Sequence, residues 1–250
     1  MIRIGTAGWS LASAFRPAFP AEGTQLARYA RVLTGVEINS SFYRSHRRDL
    51  YQRWASQTPR GFRFSVKMPR EITHERRLRA AKTPLTAFLA EVAGLGSRLG
   101  PLLAQLPPSL PCETRAARRF FALVRENHAG PVVCEPRHAS WFTRTADRLF
   151  LDFGVGRVAA DPAIVADAAQ PAGDLETTYF RLHGSPRMYW SRYTPEQISI
   201  LGARLRRWSF ESRVWCIFDN TAAHGALANA LELSVGLRGA QTSPVSSSEG

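Results

Sequence analysis

Two rhythms of apolar and polar positions alternate along this chain. Short apolar runs bounded by Gly, Pro or polar residues occur at 2–5, 36–38, 62–67, 101–105, 131–135, 156–160, 178–182 and 214–218, the pattern of strands buried on both faces. Between them the spacing turns helical. Leu26, Tyr29, Ala30 and Leu33 fall at i, i+3, i+4 and i+7, as do Leu85, Phe88, Leu89 and Val92, and again Ala117, Phe120, Phe121 and Val124. Ile198, Leu201, Leu205 and Trp208 follow a looser form, and Ala223, Ala226, Leu227 and Ala230 close the series. Each set makes one apolar stripe that covers a sheet.

Strands alternating with helices predict an α/β fold with a parallel sheet, and the count of eight predicts closure into a TIM-like (β/α)8 barrel. A chain of 250 residues suits a single domain of that kind. Residues 162–177 carry Pro and Gly with little amphipathic order, so the helix between the sixth and seventh strands is expected to be short or missing. The barrel domain is expected over 1–236. Beyond it, 237–250 are dominated by Ser, Gly, Pro and Gln with little to bury, which predicts a disordered tail.

Charge changes the picture. The formal net charge is +13, and Lys67 and Lys82 are the only lysines, so Arg supplies the rest. A surplus of guanidinium groups suits phosphate and points to a phosphate-bearing small molecule or a nucleic acid as partner. No helix-turn-helix, zinc-finger or RNA-binding signature accompanies it. Cys112, Cys134 and Cys216 are odd in number and widely spaced, which reads as core thiols rather than a disulfide framework. No run approaches the roughly 20 apolar residues of a membrane span, and the opening residues lack the features of a secretory signal. A soluble cytoplasmic protein is expected, with no membrane partner, and no protein partner is predicted.

In a barrel, chemistry collects at the C-terminal ends of the strands. Those ends carry Glu37 and Asn39, then Lys67 with His74 in its loop, Gln105, then Glu135, Arg137, His138 and Trp141. Asp161, Arg181, His183, Asp219 and Asn220 follow. Asp161 precedes Pro162 and reads as a turn cap. Glu37 and Glu135 suit either buried ion pairs with Arg181 or Lys67, or catalysis. Together these residues offer proton-transfer and anion-binding groups at one mouth. Tyr43, Trp141 and Tyr189 could stack on a base or sugar ring, whereas Phe42 reads as packing.

The run Val36-Glu37-Ile38-Asn39-Ser40-Ser41-Phe42-Tyr43-Arg44, the segment 62–67 with Thr73-His74, and Gln105-Leu106-Pro107-Pro108-Ser109 resemble the Domain of Unknown Function 72 family. So do Glu135-Pro136-Arg137-His138-Ala139-Ser140-Trp141, Arg181-Leu182-His183-Gly184 and Phe218-Asp219-Asn220-Thr221 with Asn229-Ala230, in the same order. The resemblance covers residues 1 to about 236 and implies a TIM-barrel-like fold with a shared pocket but no assigned activity. Pro136 departs from it, standing where a large or aromatic residue is expected.

Three functions fit these residues. The first is a hydrolase acting on a phosphate-bearing or nucleic-acid substrate, with Lys67, Arg137 and Arg181 holding phosphate and Glu37, Glu135, His183 and Asp219 as the catalytic set. Glu135 and His183 would share the acid–base work, with Asn39, Tyr43, His74, Gln105, His138, Trp141 and Asn220 lining the substrate. The same four catalytic donors are the candidate ligands of a divalent metal, the one cofactor considered. The second is a non-catalytic nucleic-acid or polyanion binder. The third is a carbohydrate-active enzyme with Glu37 and Glu135 as paired carboxylates, disfavoured by cations that hold carboxyls ionised.

Overall fold

The computed structural model describes residues 1–239. Its strands are β1 (Ile2–Thr6), β2 (Gly35–Ile38), β3 (Arg63–Lys67), β4 (Leu99–Gln105), β5 (Val132–Glu135), β6 (Val155–Arg157), β7 (Ala159–Asp161), β8 (Ala172–Gly173), β9 (Thr177–Leu182) and β10 (Arg213–Phe218). All eight expected strands are present, the sixth divided at Val158 into β6 and β7. The two-residue β8 is additional. Two sheets result, in the orders β1-β10-β9-β7 and β2-β3-β4-β5-β6-β8, parallel throughout except for the β6–β8 pair.

The sheets meet at two places. Ala7 bridges Glu37 in parallel, with the Gly8 N–H donating to the Glu37 carbonyl at 2.9 Å, which sets the end of β1 beside the end of β2. At the other edge β6 pairs with β5 while β7, one residue further along the same chain, pairs with β9. Val158 between them donates to the Cys134 carbonyl at 2.8 Å.

Helices α1 (Gln25–Ala30), α2 (Arg48–Ser56), α3 (Lys82–Val92), α4 (Thr114–Asn127), α5 (Arg144–Asp152), α6 (Pro195–Trp208) and α7 (Gly225–Gly239) pack outside the strands. Their buried residues are the expected stripes: Leu26, Tyr29 and Ala30 on α1, Leu85, Phe88 and Val92 on α3, and Ala117, Phe120, Phe121 and Val124 on α4. Burying each such large side chain contributes about 1.5–3 kcal/mol. Start signals fix the registers. Thr24 and Thr143 cap α1 and α5, and Thr194 with Gln197 forms a capping box ahead of Pro195 on α6.

Between β7 and β9 the chain makes only a 3-10 turn (Ala166–Ala169) and β8, so the helix expected to be short or missing is replaced by a turn. The boundary of the expected tail moves. Helix α7 continues through Gly239 and buries Leu237, because Leu227, Ala230, Leu233 and Leu237 extend one apolar face past Gly236. The rest of that expected tail, 240–250, lies outside the described residues. Among the described residues no helix is long and apolar enough to cross a membrane.

Two apolar clusters make up the core. The larger lies between strands and helices. The smaller consists of Leu103, Val133, Val158, Tyr179, Trp215 and Ile217. Four of these stand two residues before Gln105, Glu135, Arg181 and Asp219, and in a strand i and i+2 share a face. The polar side chains therefore form the next layer on the face that carries this small cluster.

Candidate active site

Arg181 is the hub of that polar layer. Its side chain is fully buried, and its guanidinium touches three carboxylates. Nε and Nη2 donate to the two oxygens of Glu37 at 3.0 and 2.8 Å. Nη1 donates to Glu135 Oε2 at 3.0 Å, and Nη2 also lies 2.9 Å from Asp219 Oδ2. Burial disfavours its charge, but Asp219, Glu37 and Glu135 outweigh that and raise its pKa well above the usual value.

His183 closes a second bridge. Nε2 faces Glu135 Oε1 at 2.9 Å and Nδ1 faces Asp219 Oδ2 at 3.1 Å. Burial opposes ionisation of Glu135, yet His183, Arg181 and Arg137 together hold its carboxyl well below the usual range. Asp219 is lowered as well, its burial outweighed by Arg181, His183 and Lys67.

Glu135 is shared most widely. Besides Arg181 and His183 it accepts from Gln105 Nε2, 3.3 Å from each oxygen, and pairs with Arg137 Nε at 3.0 Å. The outer end of Arg137 is loosely held, with Nη2 at 3.5 Å from the Tyr189 hydroxyl and 3.9 Å from Met188 Sδ. Tyr189 stands edge-on to His183, the ring centroids 5.6 Å apart. The turn that brings it there needs Gly184, at φ +93° with the Ser191 carbonyl 2.7 Å from where a Cβ would stand.

Lys67 is different from the other cations. It is 5% exposed, its Nζ lies 4.0 Å from the centre of the Phe42 ring, and, although its carbonyl accepts from Ser41 Oγ at 2.7 Å, its amine makes no hydrogen bond or ion pair among the described residues. Burial and the charge of Arg181 pull its pKa down to about 8, against the opposing pull of Glu37, Glu135 and Asp219. His74 stacks edge-on against the same Phe42 at 4.9 Å and bonds Thr73 Oγ1 through Nδ1 at 2.8 Å. Burial, with Lys67 and Arg70, lowers the His74 pKa to about 4, so it is neutral at neutral pH.

Glu37, Glu135 and Asp219 are met by Arg181, Arg137 and the two ring nitrogens of His183. Among the described residues Lys67 stands outside these pairs and feels the three carboxylates only at longer range. Close by in the sequence order of the strand ends, Asn39 Oδ1 is buried without a hydrogen-bond partner, and so is Asn220 Oδ1. The Asn220 amide is committed to the Ser191 carbonyl and Asn229 Oδ1.

Several expectations change. Arg181, expected to hold phosphate, directs its bonds to carboxylates. Trp141, expected to stack on a ligand, is 1% exposed, stacks on Phe150 and donates its Nε1–H to the Leu110 carbonyl at 2.9 Å, because the turn after β5 folds its indole into the core. His138 caps that turn, its Nδ1 accepting from the Ser140 N–H. Tyr43 is 74% exposed and stands edge-on to Phe42. Three of the four expected metal donors, Glu37, Glu135 and Asp219, hold a guanidinium in the place a cation would take, His183 bridges two of them, and no cluster of three or more His, Cys, Asp or Glu fit to hold a metal occurs among the described residues.

Two participants escape a strand-end reading, Tyr179 and Ser65. The Tyr179 hydroxyl donates to Glu37 Oε2 at 2.9 Å and also contacts Ser65 Oγ at 3.0 Å. Strand alternation carried the signal, since 179, 181 and 183 share one face, as do 65 and 67.

The family model for "Protein of unknown function DUF72" matches residues 3–249. This chain belongs to the DUF72 family. It is 34% identical to the UPF0759 protein YecE of Escherichia coli (strain K12) over 179 residues, covering 68% of this chain and 62% of that protein. It thus spans less than two thirds of that relative's length. With the UPF0759 protein YunF of Bacillus subtilis (strain 168) the identity is 26% over 215 residues, covering 77% of this chain and 73% of that one. A DUF72 family protein of Enterococcus faecalis V583 superposes with a TM-score of 0.80 at 22% identity, covering 95% of this chain and 96% of its own. A DUF72 family protein of Thermotoga maritima MSB8 gives 0.79 at 22% identity, covering 95% and 99%. At that identity the solved DUF72 structures speak for the fold, which agrees with the α/β architecture described above.

Proposed function

We propose that this chain is an enzyme acting on a phosphate-bearing substrate, a nucleotide or nucleic-acid phosphate among them, at the C-terminal mouth of a (β/α)8 barrel. Closure of the barrel is supported by the Ala7–Glu37 bridge at one junction of the sheets and by the continuous chain through β6 and β7 at the other. The observation that carries the function is the buried Lys67 amine, which forms no ion pair among the described residues while the carboxylates beside it are bonded to Arg181 and Arg137. A buried cation without an anion is costly, and a ligand phosphate would supply the missing charge.

The roles expected from sequence shift accordingly. Phosphate falls to Lys67 and the outer nitrogens of Arg137, while Arg181 holds the carboxylates and so the frame of the mouth. Glu135 is ionised and fully bonded, which removes it as a general acid and weakens the paired-carboxylate reading of a carbohydrate enzyme. Lys67 titrates close to neutrality and is the better proton-transfer group. In a hydrolysis the protonated amine gives its proton to the leaving oxygen while Arg137 faces the phosphoryl oxygens.

A second reading, nucleic-acid binding without catalysis, is favoured by the exposed rings of Tyr43 and Trp190, the latter with Arg187 4.5 Å above it. Fluorescence anisotropy with labelled single-stranded DNA and RNA, competed by nucleoside monophosphates, separates the two. Arg137→Ala is expected to weaken mononucleotide competition about tenfold or more, the usual loss for a hydrogen bond to a charged group. Binding that fades with salt but is indifferent to Arg137→Ala, with no competition by mononucleotide, would support the surface reading instead.

A further inference from the structure

We infer that the Lys67 amine is a nucleophile for aldehydes and ketones that carry a phosphate, capturing the carbonyl carbon as an imine. This rests on the reading of the mouth as a phosphate site and names a substrate class for it. The geometry is that of an amine kept available. Lys67 ends β3, is almost wholly buried, faces an aromatic ring rather than a carboxylate, and its amine bonds to no acceptor among the described residues. Every carboxylate within its electrostatic reach, Glu37, Glu135 and Asp219, is already held by Arg181. Hydrogen-bonding capacity for an incoming carbonyl compound is present at the neighbouring strand end, where Asn39 Oδ1 is an unpartnered acceptor suited to a substrate hydroxyl. Arg137 offers donors for the phosphate.

Burial and the charge of Arg181 hold the pKa at about 8 against the opposing pull of Glu37, Glu135 and Asp219, so a fraction of the amine is free at neutral pH. The step balances without an oxidant or reductant. The nitrogen lone pair forms a bond to the carbonyl carbon, and the carbonyl π pair moves to oxygen, which takes a proton. The nitrogen then loses its protons as the hydroxyl departs with one more proton as water. Amine and carbonyl become imine and water.

Pyridoxal 5′-phosphate followed by borohydride reduction tests this directly, because the chain has only two lysines and peptide mass spectrometry assigns every side-chain adduct to Lys67 or exposed Lys82. At pH 7.5 the Lys67 adduct is expected to form on the order of 100-fold faster than the adduct of an ordinary exposed lysine, from the difference in free-amine fraction. Lys67→Met abolishes it, with a cooperative melting transition no lower than that of the wild type reporting that the fold is retained. Phosphate-free pyridoxal labels Lys67 more slowly, and Arg137→Ala brings pyridoxal 5′-phosphate down to that slower rate. Labelling confined to Lys82 and the N-terminus overturns the inference. If pyridoxal 5′-phosphate binds and is displaced by inorganic phosphate without an adduct at Lys67, the phosphate site stands and the covalent role fails. If Lys67 is labelled equally with and without the phosphate, and Arg137→Ala changes nothing, the substrate class fails together with the phosphate reading.

Discussion

Arg181→Met is expected to lower stability by about 3–5 kcal/mol or more, the cost of stripping the partner from a buried ion pair. A methionine fills much of the volume but leaves Glu37, Glu135 and Asp219 facing one another in the interior. With a typical total stability of about 5–15 kcal/mol, a loss of that size leaves a substantially unfolded population or a strongly lowered melting temperature. Arg181→Lys is expected to recover little, because an ammonium group is a point charge and cannot span three carboxylates as the planar fork does. Urea denaturation of both variants reads the effect. A midpoint for Arg181→Met close to that of the wild type would show that the cluster is not what holds this layer together.

Lys67→Met carries the opposite sign. The amine is desolvated and lies near the charge of Arg181, so its folded pKa of about 8 lies below the ordinary lysine value of 10.5. The folded state releases its proton more readily than the unfolded chain. Stability therefore rises with pH between the two values, and at pH 7 the protonated amine costs about 3 kcal/mol at most, from roughly 1.4 kcal/mol per pK unit. Replacing it by an isosteric apolar side chain is expected to stabilise the protein by about 1–3 kcal/mol at pH 7, with the gain shrinking as pH rises past 8. A residue that the fold would be more stable without is what a ligand site requires. Denaturation of the two proteins at pH 7 and pH 9.5 checks both magnitude and sign, and a destabilised variant at pH 7 would contradict the lowered pKa of the amine.

Much of the fold was legible because strands buried on both faces leave continuous apolar runs, and each such run is a strand in the structure. The divided sixth strand was not, since Val158 continues the apolar run while its backbone turns from the β5 partner to the β9 partner. Helix α2 was hidden because Tyr51 is its only fully buried residue among charged neighbours, and the short α5, with Ala146, Leu149 and Phe150 buried, was likewise absent from the expected stripes. At the site, the strand-end rule located Glu37, Lys67, Gln105, Glu135, Arg181, His183 and Asp219. It could not assign their roles. Which cation a carboxylate takes depends on pairing across strands as far apart as β2 and β9, which leaves no spacing in the sequence. Trp141 shows the same limit, because one turn of chain decides whether an indole faces a ligand or the core.

Direct titration of the Lys67 amine is the measurement closest to the central claim. With only two lysines, side-chain NMR of the lysine-labelled protein gives resonances that Lys67→Met assigns at once. The expected result is a Lys67 pKa near 8 that moves upward when inorganic phosphate or pyrophosphate is added, because a bound anion favours the charged amine. A Lys67 resonance that titrates with the ordinary lysine value of 10.5 and does not respond to phosphate would contradict it.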